Sequence, residues 1–343
     1  MKRITALLLS LILLFTFAGC GSTQEETVIV VDENSNTSSV GEESMNTSET
    51  ISSDVVSEEE NVSTPDTSSG GNTSSVPTVS TPEEEDKVIN IDYEWKSHPE
   101  DFKLIALTFD DGPSSLMYDY INLFAAWDGA GTFFVNGYKI DSDYKYSLMQ
   151  NAINYGWDIG NHGDKHLVAT IGGANGGEAT YDELKADILN LTNKLETHLK
   201  ARNGSAYEVS IYRAPNIKPT ANTFKICAEE KYPVIWLKYD ALDWDTTKTD
   251  KQREDVFKYA INTWEDGDVI LCHEVQQYAD QTYAYLEKYM PDLYRAGYRF
   301  CSVTELMELR GITREQICGE LNNVDGNRGM VTNIVKAAEQ GRK

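Results

Sequence analysis

The chain is predicted to be an α/β protein, a distorted (β/α) barrel of about seven parallel strands preceded by a disordered linker. Two observations carry that expectation. From residue 104 onward, short runs rich in β-branched and aromatic residues alternate with helical segments, the pattern of parallel strands joined by right-handed crossovers. Most of these runs stop at a charged or polar residue, and the carboxyl ends of parallel strands are where barrels build their sites. An open doubly wound sheet would give the same alternation. No Gly-x-Gly-x-x-Gly is present to mark the dinucleotide site of such sheets.

Residues 1–20 of the 343 stand apart: Lys2 and Arg3, an apolar run over 4–17, then Ala18-Gly19-Cys20. This is a signal-peptide layout, and the apolar run is short against the roughly 20 residues of a membrane span. The ending resembles a bacterial lipobox, with Phe17 where Leu is usual. That resemblance implies a lipid on Cys20 and a membrane anchor at the outer face; an uncleaved anchor or ordinary secretion are the alternatives. Residues 21–88 hold sixteen acids against Lys87 alone, and so fifteen of the formal net −25. Such a segment buries too little apolar surface to offset its chain entropy and is expected to be disordered. As a flexible coil it would average roughly 45 Å end to end, a tether into the cell wall or a solvated stretch without a partner. The acidity argues against a nucleic-acid ligand. Residues 89–315 form the expected folded domain, long enough for one large core. Residues 316–343 form a tail that would dock as a helix or stay loose. Cys227, Cys272, Cys301 and Cys318 contain no Cys-x-x-Cys, which speaks against a thiolate zinc site.

Within the domain, residues 104–109 read as the first strand, ending at Asp110-Asp111-Gly112-Pro113. Residues 114–127 follow with helical spacing at Leu116, Tyr120, Leu123 and Phe124, then a strand over 131–136 opened by a glycine. A helix over 147–155 closes at Gly156 before a short strand at 157–159. Residues 181–199 place Leu184, Ile188, Leu191 and Leu195 on one helical stripe. Strands at 208–212, 234–239, 269–272 and 298–303 complete the set, with helices at 224–229, 253–264 and 281–296 between them.

The polar residues then fall at strand ends. Asp110 and Asp111 follow the first strand, and two adjacent carboxylates repel unless a cation or a proton stands between them. His162 and His166 follow the third strand, Arg213 the fourth, Asp240 the fifth and His273 the sixth. The histidines 162 and 166 are four apart, so a helical turn would aim both imidazoles the same way. With one carboxylate they make the two-His, one-carboxylate set of a catalytic zinc. Taken alone, the pair is as much at home on a solvated surface. His98 and His198 lie outside the predicted ring.

These residues also match a family in order. Thr108-Phe-Asp-Asp-Gly-Pro113 resembles the first signature of the polysaccharide deacetylases, the NodB-homology group of metal-dependent carbohydrate esterases. His162-Gly-Asp-Lys-His166 resembles the second, Arg213-Ala-Pro-Asn216 the third, Asp240-Ala-Leu-Asp-Trp244 the fourth and Leu271-Cys-His273 the fifth. The resemblance runs from about residue 104 to 309. It implies a divalent metal, Zn²⁺ first, on Asp111, His162 and His166, and Asp110 as general base paired with Arg213. It further implies His273 as general acid oriented by Asp240, with Asp243 the lesser candidate. The backbone of Asn216 would bind the oxyanion, and Trp244 and Leu271 would wall the acetyl pocket.

Three departures bear on substrate more than on reaction. Asn216 stands in place of an aromatic residue, Ala214 in place of Pro, and Gly163 in place of Ser or Thr. Glycines over 172–177 suggest an extended loop beside the groove. The implied substrate is an acetylated wall polysaccharide, peptidoglycan first, with chitin-type oligomers and O-acetylated xylan as alternatives. A non-enzymatic glycan-binding lipoprotein is the competing class.

Overall fold

The computed structural model describes residues 89–318 and 331–341. Cys20, the signal segment and the expected linker over 21–88 lie outside them. Six strands, all paired in parallel, make one sheet: β1 (Lys103–Gly112), β2 (Thr132–Val135), β3 (Asp158–Asn161), β4 (Tyr239–Asp240), β5 (Val269–His273) and β6 (Tyr298–Phe300). Around them lie α1 (Leu116–Ala125), α2 (Asp143–Asn154), α3 (Tyr181–His198), α4 (Ala221–Glu229), α5 (Asp250–Lys258), α6 (Ala260–Thr263), α7 (Ala279–Arg295), α8 (Val303–Leu309), α9 (Arg314–Cys318) and α10 (Ile334–Gly341). Among the described residues no helix is long and apolar enough to cross a membrane.

The sheet order is β3-β2-β1-β5-β4, with β6 beside the amino-terminal end of β1. Two of the seven expected strands, 208–212 and most of 234–239, are extended segments with isolated parallel bridges, Asn161 to Tyr212 and Tyr212 to Val234. Their backbones are engaged elsewhere: Val209 N–H donates to Glu196 Oε1, and Pro233 has no N–H to give. The bridges still close the ring, because the chain leaving Val234 reaches Tyr239, which pairs with Ile270 of β5. The barrel is therefore distorted where its ladder is thinnest.

Strand alternation sets what faces inward. On β1, Ile105, Leu107 and Phe109 join the core under the helices, while Leu104 and Ala106 join a second cluster with Phe134, Ile211, Ile235 and Val269. Thr108 and Asp110 continue that second face, so the barrel interior turns polar toward its carboxyl end. The tail docks: Val331 bridges Ile235, Asn333 bridges Asp268, and Ile334 and Ala338 are buried in the second cluster.

Candidate active site

β1 runs three residues past the expected end at Phe109, and this extension makes the site. In a regular strand Asp110 and Asp111 would face opposite ways. The ladder with β2 shifts register between Asp110 and Gly112, and Asp111 has φ 70°, which turns its carboxylate toward the same mouth. Asp110 pairs in register with His273 at the end of β5.

The two histidines meet by another route than a helical turn. Residues 162–166 form a loop in which Gly163 has φ 83° and His166 φ 54°. The loop carries His162 Nε2 to 3.6 Å and His166 Nε2 to 3.3 Å from Asp111 Oδ1. One ligand atom from each of Asp111, His162 and His166 lies within 4.8 Å of the others. His162 Nδ1 faces the Arg213 carbonyl at 2.9 Å, which fixes that nitrogen as the N–H donor and leaves Nε2 a free lone pair. Two imidazole nitrogens and one carboxylate oxygen fit a divalent cation. Burial pushes the Asp111 carboxyl up, but His162, His273, His166 and a hydrogen bond from Gln276 outweigh it and hold the carboxyl below its usual range. Burial and the neighbouring His162 lower His166, so the neutral ligand form is favoured.

Arg213 is fully buried and satisfied. Nη1 donates to Asp110 Oδ1 at 2.8 Å and to Thr108 Oγ1 at 2.6 Å, Nη2 to the Trp236 carbonyl at 2.8 Å and Nε to the Ile235 carbonyl at 3.2 Å. A rigid guanidinium fork suits that arrangement. It engages Oδ1 of Asp110 and leaves Oδ2 facing His162 Nε2 at 3.6 Å.

His273 departs from expectation. Its Nδ1 pairs with Asp243 Oδ1 at 2.6 Å, and its backbone N–H donates to Asp243 Oδ2 at 2.8 Å. Asp243 is the residue behind the ring, and Asp240 is not. Asp240 instead accepts from Leu242 N–H at 2.7 Å and from Trp244 Nε1 at 2.9 Å, which ties down the rim. Burial opposes a charge on His273, yet the hydrogen bond and charge of Asp243, with Asp110 and Asp111, raise it to about 9.

A cleft of about 590 Å³ joins these groups to Asn216, Trp244 and Leu271. Asn216 and Ile217 are both left-handed, with φ 52° and 55°, in the turn Pro215–Ile217. Among the described residues no hydrogen bond engages the Asn216 N–H. Leu271 lies in β5, 2% exposed, whereas Trp244 is 49% exposed. Sequence reasoning missed Gln276, whose Nε2 donates to Asp111 Oδ2 at 2.6 Å. It lies in a loop after β5, where no spacing rule points. Asp243, the lesser candidate from the sequence, shares the Asp-x-x-Asp stretch with Asp240.

A parallel barrel whose strand ends gather a His/His/Asp cluster compatible with a divalent metal is the architecture of a metal-dependent hydrolase. Residues 97–235 match the polysaccharide deacetylase family. A peptidoglycan-N-acetylglucosamine deacetylase of Bacillus cereus is 29% identical over 215 residues, covering 62% of this chain and 92% of that protein. A bifunctional xylanase/deacetylase of Pseudobutyrivibrio xylanivorans is 27% identical over 211 residues, 61% of this chain but 31% of that longer protein. Among solved structures, a family 4 acetyl xylan esterase of Clostridium thermocellum in complex with cobalt superposes with a TM-score of 0.55 at 24% identity, over 68% of this chain and 99% of that one. The chain is a hydrolase similar to the polysaccharide deacetylases over residues 97–235.

Proposed function

We propose that the protein removes N-acetyl groups from N-acetylhexosamine units of peptidoglycan, using a divalent ion, Zn²⁺ first, on Asp111, His162 and His166. The observation that carries the reading is the 4.8 Å cluster of those three ligand atoms, in the same cleft as Asp110 and His273. A cation held there by Asp111, His162 and His166 would supply a Lewis acid for the acetyl carbonyl and would lower the pKa of an attacking water. Asp110 Oδ2, left free by Arg213, takes the proton of that water. The unengaged N–H of Asn216 donates to the developing oxyanion. His273, protonated and held through Nδ1 by Asp243, gives its Nε2 proton to the departing amine. Leu271 and Trp244 wall the acetyl group on apolar surface.

The printed activity of the Bacillus cereus relative supports peptidoglycan. The expected tether supports it too: a lipid on Cys20 and an extended linker over 21–88 would hold domain 89–315 at the outer face of the membrane, within reach of the wall. The test is acetate release by the zinc-loaded protein from peptidoglycan, N-acetylglucosamine oligomers and acetylated xylan. Release from peptidoglycan, lost in His162→Ala, is expected. Release from xylan alone would overturn the substrate, and binding without release from any polymer would favour a glycan-binding lipoprotein.

A further inference from the structure

We propose that Asp187, on α3, is a positioning residue for the second histidine ligand: its carboxylate fills the space left by Gly163 and holds the half of the loop that carries His166. The proposal rests on the metal reading above.

The two halves of the loop are anchored differently. Its first half is tied to β2 and β3: His162 N–H reaches the Val135 carbonyl at 3.0 Å, Asn136 Nδ2 the His162 carbonyl at 2.7 Å, and Gly163 N–H Asn161 Oδ1 at 2.8 Å. The second half has no such strand partner. There Lys165 N–H donates to Asp187 Oδ1 at 2.7 Å, and the Leu167 amide also faces this carboxylate. The flanking Asp164 N–H reaches the Asp187 carbonyl oxygen at 3.1 Å. His166 sits between those two tied amides with φ 54°. A non-glycine residue seldom adopts that region and persists there only when its surroundings hold it.

Asp187 is 6% exposed, and among the described residues no Lys or Arg forms an ion pair with it. A buried carboxylate without a cation is costly unless its oxygens accept hydrogen bonds, and loop amides supply them here. The same carboxylate accounts for Gly163. A Cβ at that position would lie 2.4 Å from Asp187 Oδ2, so the oxygen and a Ser or Thr side chain cannot coexist. The departure from the family signature at 163 is thus offset from a neighbouring helix.

The test is Zn²⁺ titration of the full chain against a competing chelator, with amide hydrogen exchange at Lys165. Asp187→Ala should bind Zn²⁺ about 10–100-fold more weakly, the usual effect of removing a partner outside the ligand set, and Lys165 should lose protection. Asp187→Asn keeps an acceptor and should retain most of the affinity. Gly163→Ala should weaken binding alone, and add less than its separate effect in the Asp187→Ala background. Wild-type affinity and Lys165 protection in Asp187→Ala would overturn the proposal. If that variant does not fold, wild-type affinity in Gly163→Ala would overturn it. A wild-type chain that binds no Zn²⁺ would overturn the metal reading itself, and this proposal with it.

Discussion

One wall of the cleft is formed by Asp110 with Arg213 buried behind it; the two are 1% and 0% exposed and share a 2.8 Å ion pair, and Arg213 has three further acceptors. On the rim, Trp244 is half exposed and held by one hydrogen bond to Asp240, while Asn216 lies in an exposed left-handed turn. The wall is over-determined and dry, so its groups keep one geometry and interact in a low dielectric. The rim is set by few contacts and can vary at small cost. The reaction should therefore depend on the wall and substrate choice on the rim.

The sharpest way to break that division is Asp110→Asn. The amide keeps the shape and can still face Arg213, but it cannot take a proton. Acetate release should fall by about 10²–10⁴-fold while Zn²⁺ binding persists, because Asp111 and the histidines are untouched. Full activity in this variant would remove the base from the wall. Arg213→Ala comes next. It leaves Asp110 buried without its partner, and breaking such a pair costs about 3–5 kcal/mol of stability. Thermal unfolding should show it as a clear drop in Tm.

Asp243→Asn sharpens the comparison through pH. His273 is raised to about 9 from the ordinary histidine value of 6.5 against the pull of burial, and Asp243 is the chief cause of the rise. A raised folded pKa makes the protonated form the favoured one. The acid is then present below about 9 and lost as pH climbs through it, so the alkaline limb of the rate profile should fall there. The stability from this pair likewise is complete below about 6.5 and fades as pH rises through about 9. With Asn at 243 burial is less opposed, and the limb should move to lower pH. An unmoved limb would free His273 from the acid role.

Much of this was legible beforehand because strand periodicity and strand-end chemistry are local. Asp110, Asp111, Arg213 and His273 meet because each follows a hydrophobic run, and such runs are visible in sequence. What was not legible depends on backbone torsion and long-range contact. The turn of Asp111 to the side of Asp110 needs a bulge with φ 70°, and no residue preference at an aspartate announces it. In the histidine loop a spacing of four suits a helical turn, but Gly163 permits a left-handed path instead. Asp243 overtakes Asp240 because the chain turns at Leu242, φ 60°, and carries the second aspartate under His273. Two expected strands thinned to bridges because Pro233 and the Val209–Glu196 bond interrupt a ladder that apolar pattern alone would continue.

The rim is expected to give the smallest effect. In Trp244→Ala an apolar face is lost from the cleft without touching Asp110, His273 or the ligand set. An aromatic face contact contributes about 0.5–1.5 kcal/mol, so KM should rise about two- to tenfold. An unchanged kcat would mark the loss as binding shared by ground and transition states. Trp244 also donates Nε1–H to Asp240, so the loss has two sources that Trp244→Phe separates. Phenylalanine keeps an aromatic face and removes the donor. If KM stays near wild type in Phe and rises in Ala, the ring contacts the substrate. If both rise together, the hydrogen bond that anchors the rim matters more than the surface it presents. A fall in kcat as large as that of Asp110→Asn would erase the distinction between wall and rim.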